Sequence, residues 1–104
     1  MAIHPFLHQI HYDLFLANET DLKHKKLDDT RHRNLPFSWQ VGAQQVIPGL
    51  DAAIQCLTQG QIAEIFLPAW FAYGAVGCPP WIPPHADLLY RVELVEIRAP
   101  DAAA

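Results

Sequence analysis

The stretch QVIPGLD, residues 45–51, joins the two kinds of local structure from which the chain is built. Its β-branched residues Val46 and Ile47 favour an extended backbone. Pro48 then fixes φ near the helical value and is well tolerated in a first helical turn. Apolar residues then follow at helical spacing, at Leu50, Ala53, Ile54 and Leu57. Gly60 comes next, and glycine is suited to the position just past a helix end. The stretch therefore predicts the start of the chain's one good helix.

Four segments around this helix alternate apolar and polar residues, the period of two that indicates a strand with one buried face. They lie at residues 9–16, 37–41, 61–67 and 88–97. The polar segment 18–34 has no sustained period and is predicted to be a long loop, and segment 74–84, with two glycines and four prolines, a stiff one. Strands without βαβ alternation predict an α+β domain, an antiparallel sheet packed over one helix.

Size and charge limit what the protein can be. A chain of 104 residues allows one core and no second domain. A formal net charge of −4 argues against a nucleic-acid partner, because phosphate binding needs clustered cations. We expect neither a signal peptide nor a membrane partner, since no apolar run approaches the roughly 20 residues that a span requires. Cys56 and Cys78 form no CxxC or disulfide framework, so we expect a reducing compartment, the cytoplasm.

Several motifs occur together over most of the chain. They are Tyr12, LDDT at 27–30 with Arg33, QVIPGLD at 45–51, AYG at 72–74, IPPHA at 82–86 and YRVEL at 90–94. In this order and spacing they resemble the signature of the FKBP-type peptidyl-prolyl cis-trans isomerases, or immunophilins. The resemblance implies a strongly curved antiparallel sheet, a half-barrel, wrapped around one short helix. It assigns residues 1–98 to the isomerase domain and 99–104 to a short tail.

The same resemblance implies a pocket that binds a proline ring. Asp28, Tyr73 and the backbone N–H of Ile47 occupy the positions of the catalytic groups, with Asp28 paired to Arg33. Matching positions of the pocket wall are Tyr12, Phe37, Val46, Ile47, Leu50, Tyr73 and Tyr90, with Trp81 and Ile82 on the loop above. Phe71 is expected to join Trp81 and Ile82 in an apolar rim, which would favour a bulky apolar residue before the proline. The implied partners are proline-containing peptides or client proteins, and macrolide inhibitors of the rapamycin type.

No cofactor or metal is expected, because isomerisation needs neither. Rotation about an X-Pro bond is opposed by amide resonance, a barrier of roughly 18 to 20 kcal/mol. A water-poor cavity shaped for the twisted amide would favour the transition state over either planar isomer. The six histidines do not indicate a metal site, since a strand would place His4 and His8 on the face opposite His11.

Two readings remain open at this point. Taken one by one, the pocket residues lie on periodic faces and are also typical of a hydrophobic core. The chain departs from the family pattern at Leu50, where tryptophan is common, and at Leu27, where phenylalanine is common. It also has little room for the strand that usually precedes Tyr12. The first reading is therefore an isomerase with weakened binding, and the second a non-catalytic interaction or co-chaperone domain.

Overall fold

The computed structural model describes residues 6–17 and 26–99. It contains a curved, unclosed antiparallel sheet and one short helix, so the predicted α+β fold is confirmed. The elements in chain order are β1 (Leu7–Leu16), β2 (Lys26–Asp29), β3 (Phe37–Gln40), α1 (Pro48–Ile54), β4 (Ile62–Leu67) and β5 (Leu88–Arg98). In these two ranges, the structure contains no helix that is long and apolar enough to cross a membrane.

Strand β1 organises the sheet because it pairs with three other strands. It pairs with β5 along its whole length, from Leu7 opposite Arg98 to Leu16 opposite Leu88. On its other side, β3 pairs with the first half of β1 and β2 with the second half. Strand β4 pairs with the free side of β5, which gives the order β2-β1-β5-β4 with β3 beside β1.

The helix packs against one face of the sheet through its apolar stripe. Leu50 and Ile54 are buried in the same cluster as the inward side chains of β1 and β5. Asp51 fixes the position of the helix, because its carboxylate accepts hydrogen bonds from the Trp39 indole at 2.9 Å and from the backbone N–H of Gly42. Gly49 is buried where the helix approaches β4, and a Cβ at this position would lie only 2.6 Å from the carbonyl oxygen of Phe71.

Two sequence-based predictions about local structure were wrong. Residues 26–29, predicted to be loop, form β2, because β1 offers them an edge with which to pair. The helix ends at Ile54, well before Gly60, since the backbone then changes to tighter bonds from Cys56 to Ala53 and from Leu57 to Ile54. The proposed tail lies outside the described residues apart from Ala99, as do residues 1–5 and the first part of the predicted loop, 18–25.

Candidate active site

Two adjoining cavities open on the concave side of the sheet. The inner cavity has a volume of about 180 Å³ and the outer one about 350 Å³. The inner cavity is lined by Tyr12, Phe37, Gln45, Val46, Ile47, Leu50, Tyr73 and Tyr90. The outer cavity is lined by Leu14, Leu27, Asp28, Tyr73, Cys78, Trp81 and Ile82. Tyr73 belongs to both walls, so the two spaces meet at its side chain.

Aromatic rings from three strands shape the inner cavity. The Tyr12 ring on β1 meets Phe37 on β3 edge-on, with centroids 6.2 Å apart, and Tyr90 on β5 at 5.6 Å. Phe37 stacks in turn on Trp39, at 5.5 Å. Such offset and edge-to-face contacts are preferred between aromatic rings and restrict their motion. The helix contributes Leu50, which is buried and closes one side of the space.

The carboxylate of Asp28 is held by two donors. The hydroxyl of Tyr12 donates to Oδ2 at 2.7 Å, and Nη1 of Arg33 donates to Oδ1 at 2.6 Å. Thr30, which is fully buried, anchors the turn that carries these groups: its hydroxyl accepts from the backbone N–H of Tyr12, and its own N–H donates to the carbonyl of Tyr12. The predicted Asp28–Arg33 pair is therefore present, and the carboxylate lies in the wall of the outer cavity.

The tyrosines of the site resist ionisation. Burial raises the pKa of Tyr12, and the hydrogen bond to the Asp28 carboxylate raises it further because a phenolate there would face another anion. Burial likewise raises the pKa of Tyr73 and of Tyr90. All three phenols consequently remain hydrogen-bond donors at neutral pH.

The inner cavity has donors that are available to a ligand. The backbone N–H of Ile47, which precedes α1, makes no hydrogen bond within the described residues. The hydroxyl of Tyr73 also has no partner there, although the residue is only partly exposed. Unpaired donors beside an apolar space favour a ligand that brings acceptors such as peptide carbonyl groups, because a donor left unpaired on burial is costly.

The loop 74–84 forms the outer wall. Reciprocal backbone hydrogen bonds between Cys78 and Ile82 tighten it, at 2.7 and 2.9 Å. Gly77 is required at its base: φ is +70°, and a Cβ would lie 2.5 Å from the carbonyl oxygen of Ile82. As a result, Ile82 is buried at the bottom of the loop, whereas Trp81 is 67% exposed at the rim.

The structure brings all the predicted site residues to these cavities, although the single predicted pocket is divided into two. Tyr12, Phe37, Val46, Ile47, Leu50 and Tyr90 lie at the inner cavity, Asp28, Trp81 and Ile82 at the outer one, and Tyr73 at both. Their roles toward a substrate stay predictions. The alternative interpretation, that these residues belong to the hydrophobic core, is also correct in part. Leu50, Ile82 and Tyr90 line a cavity and are buried as well.

The site predicted from the sequence lacked four lining residues and misplaced one. Leu14, Leu27, Gln45 and Cys78 line the cavities, and of these Leu27 was noted only as a departure from the family pattern. Gln45 was part of the quoted motif, whereas no sequence signal distinguished Cys78 from other loop residues. Phe71, expected at the rim with Trp81, instead stacks on Trp70 with centroids 5.1 Å apart and lines neither cavity.

These features define a class of protein: a β half-barrel around a short helix, with a small aromatic cavity that can hold a ring and free donors beside it. The sequence identifies the family within this class. Residues 7–95 match the family described as "FKBP-type peptidyl-prolyl cis-trans isomerase", and the chain belongs to this family.

Two curated proteins illustrate the relationship. The chain is 40% identical over 89 residues to "Peptidyl-prolyl cis-trans isomerase FKBP20-1" of Arabidopsis thaliana, covering 86% of this chain and 45% of that protein. It is 41% identical over 88 residues to "FK506-binding protein 1" of Eremothecium gossypii, covering 85% of this chain and 73% of that protein. The chain thus spans less than half the length of the plant relative. The family description and the plant relative's name both specify an isomerase, which favours the enzyme over the non-catalytic alternative.

Proposed function

We propose that this domain is a peptidyl-prolyl cis-trans isomerase that holds the proline ring in the inner cavity and the preceding residue in the outer one. The observation that carries the proposal is the sharing of Tyr73 by both cavities. Two spaces that meet at one side chain suit a dipeptide unit, with its amide bond lying at the junction. Asp28 in the outer wall is then close to the bond that rotates.

Selective binding of the twisted amide supplies the catalysis. Twisting the C–N bond removes its resonance and makes the amide less polar, so aromatic and aliphatic walls around the ring solvate it better than water does. The peptide stays anchored while the bond rotates, through hydrogen bonds from the Ile47 N–H and the Tyr73 hydroxyl to its carbonyl groups. Only interactions that are stronger in the twisted form accelerate the reaction.

The outer cavity also supports a preference at the position before proline. Its walls are largely apolar, with Leu14, Leu27 and Ile82 below the exposed ring of Trp81. Among the described residues, the one charged side chain in its lining is Asp28, a carboxylate whose cationic partner Arg33 is already bound to it. A bulky apolar residue is therefore preferred, and an acidic one is disfavoured. Equal turnover of Leu-Pro and Glu-Pro peptides would contradict this preference.

The proposed function extends to ligands, natural substrates and cellular compartment. The name of the Eremothecium relative specifies binding of FK506, and we propose that macrolides of this type, rapamycin included, occupy the inner cavity here. Folding client proteins with accessible X-Pro bonds are the proposed natural substrates. We place the domain in the cytoplasm, a proposal supported by the free thiols of Cys56 and Cys78.

The decisive experiment is exchange spectroscopy by NMR on a short Leu-Pro peptide, with and without the purified protein. Uncatalysed exchange takes tens to hundreds of seconds, so acceleration is easily seen. We expect catalysed exchange that rapamycin suppresses. A folded protein that neither accelerates exchange nor shows shifts with rapamycin would overturn the proposal.

Two variants connect the measurement to the site. Tyr73→Phe removes the hydroxyl of the residue that lines both cavities but keeps the ring. It should therefore raise KM for the peptide and leave the free energy of unfolding nearly unchanged. Phe66→Ser alters a 57% exposed side chain on β4 that lines neither cavity, and it should leave exchange unchanged.

A further inference from the structure

The hydroxyl of Tyr90 is a buried polar group that the proposed mechanism does not use. The side chain is only 5% exposed and lines the inner cavity. Its hydroxyl makes no hydrogen bond within the described residues. No unpaired side-chain oxygen is sealed inside that part of the protein, so this hydroxyl reaches the open space of the cavity.

The surroundings of the hydroxyl are polar. The Tyr90 ring lies 5.6 Å from the Tyr12 ring, and both line the same cavity as Tyr73. Burial raises the pKa of Tyr90, and the Tyr73 and Tyr12 phenols and the Asp28 carboxylate raise it further. The chain has three tyrosines, and all of them line this one cavity. The Tyr12 hydroxyl is already paired with Asp28, so the hydroxyls of Tyr73 and Tyr90 are the phenolic groups of this cavity that have no partner within the described residues.

An occupied cavity changes the environment of this hydroxyl. When a wholly apolar ring fills a space of about 180 Å³, the Tyr90 hydroxyl loses access to solvent and gains no partner. Burying an unpaired hydroxyl weakens binding, whereas a ring that carries its own hydroxyl can pair with it. The same site thus distinguishes two kinds of five-membered ring of nearly equal size.

We infer that the Tyr90 hydroxyl makes the cavity selective for a proline ring with a hydrogen-bonding substituent, such as 4-hydroxyproline, over unsubstituted proline. The inference rests on the proposed function, because it assumes that the ring enters the inner cavity. It names Tyr90 as a residue that determines specificity, and it predicts substrate peptides that have been hydroxylated on proline before they reach this enzyme.

The test compares ligand binding, which does not depend on catalysis. Protein NMR titrations would use N-acetyl-proline methylamide and both epimers of N-acetyl-4-hydroxyproline methylamide as probes. We expect the wild-type protein to bind one hydroxyproline epimer more tightly than proline, and Tyr90→Phe to reduce that ratio by roughly five-fold to a hundred-fold. Tyr90→Phe should also bind the proline probe more tightly than wild type does.

Matched controls separate Tyr90 from its neighbours. Tyr12→Phe and Tyr73→Phe each remove one other phenol from the same cavity, and neither should reduce the ratio as much. If Tyr90→Phe does not fold, tyrosines labelled with ¹³C at Cζ in the wild-type protein give three signals, and the Tyr90 signal should move with hydroxyproline and not with proline.

The outcomes distinguish the two proposals. An unchanged ratio in folded Tyr90→Phe, or a Tyr90 signal that responds equally to both probes, overturns the inference while leaving isomerase activity in place. If the protein does not catalyse peptide exchange but still binds hydroxyproline selectively, the isomerase proposal is overturned and the inferred selectivity stands.

Discussion

The Tyr12 hydroxyl donates a hydrogen bond of 2.7 Å to the carboxylate of Asp28, and so links β1 to β2 at the wall between the two cavities. Arg33 holds the other oxygen of the same carboxylate, at 2.6 Å. The Asp28 and Arg33 side chains are 38% and 46% exposed, so solvent screens the ion pair and it adds little to the free energy of unfolding. In the proposed mechanism, the pair fixes the position of the Asp28 carboxylate beside the bound peptide.

Replacement of Asp28 by asparagine tests that charge. Asp28→Asn keeps the shape of the side chain but removes the anion, so we expect kcat/KM for a Leu-Pro peptide to fall by roughly ten-fold, the value of one charge-assisted hydrogen bond. The free energy of unfolding in urea should change by less than about 1 kcal/mol. Glu93→Gln is the matched control, because it breaks the surface ion pair with Arg31 and lines neither cavity. An equal loss of activity in the control would show that the effect is not specific to the site.

Tyrosine ionisation gives a pH prediction. The folded-state pKa of Tyr12, Tyr73 and Tyr90 is raised above the ordinary value of about 10. Below pH 10 the phenols are protonated in the folded and unfolded states alike, and their ionisation does not affect stability. As the pH rises further, the unfolded chain loses these protons first, so the free energy of unfolding falls. Absorbance at 295 nm should show phenolate only above pH 10 in the folded protein, and at about pH 10 in denaturant; coincident titrations would contradict the burial of these rings.

Leu50 offers a test of how ring surface affects ligand affinity. Leu50 is buried, and it faces a cavity of about 180 Å³ that can accept a larger side chain. Leu50→Trp should tighten rapamycin binding by roughly five-fold or more, because each buried Å² of apolar contact contributes about 25 cal/mol. Because Leu50 also packs in the hydrophobic core, the part of the indole that does not enter the cavity overpacks that core and should lower the free energy of unfolding by about 1 to 3 kcal/mol. Calorimetric titration and urea unfolding measure the two effects separately, and weaker binding by a well-folded variant would contradict the prediction.

The two cysteines allow a footprint of the outer cavity in one molecule. Cys78 lines that cavity and is half-buried, whereas Cys56 is exposed beyond the end of the helix. We expect a saturating Leu-Pro peptide, whose leucine is proposed to occupy the outer cavity, to slow alkylation of Cys78 several-fold and to leave Cys56 unaffected. Peptide mass spectrometry after brief iodoacetamide treatment reports both sites, and Cys56 serves as the internal control. Equal rates with and without ligand would place the ligand outside this cavity.

Much of the fold follows from local sequence, as the two longest strands show. β1 and β5 alternate apolar and polar residues over most of their length, so the period of two located both. Strand β2 could not be located in this way because KLDD has no apolar period. It is a strand because β1 provides backbone partners, and because the Thr30 hydroxyl in the following turn accepts a hydrogen bond from the backbone N–H of Tyr12. Helix length was overestimated for a related reason: Leu57 continues the apolar spacing after the backbone has left the α-helix at Ile54.

The site shows the same division between local and tertiary information. The family resemblance carried by the ordered motifs, QVIPGLD among them, identified most residues around the inner cavity, because each motif is a short stretch of chain. The separation into two cavities depends on where the loop 74–84 lies above the sheet, and the spacing of its residues does not encode that position. For this reason Cys78 was not predicted and Phe71 was expected at the wrong place.

The pairing of β1 with β5 has a consequence for biosynthesis. Leu7 pairs with Arg98, so the centre of the sheet joins positions 91 residues apart in the chain. During translation, β1 leaves the ribosome long before its main partner, and the sheet cannot close until β5 has cleared the exit tunnel. Non-local pairing of this kind also slows folding after release. A protein proposed to accelerate the folding of others therefore completes its own fold only after synthesis of β5, with its first strand exposed to chaperones until then.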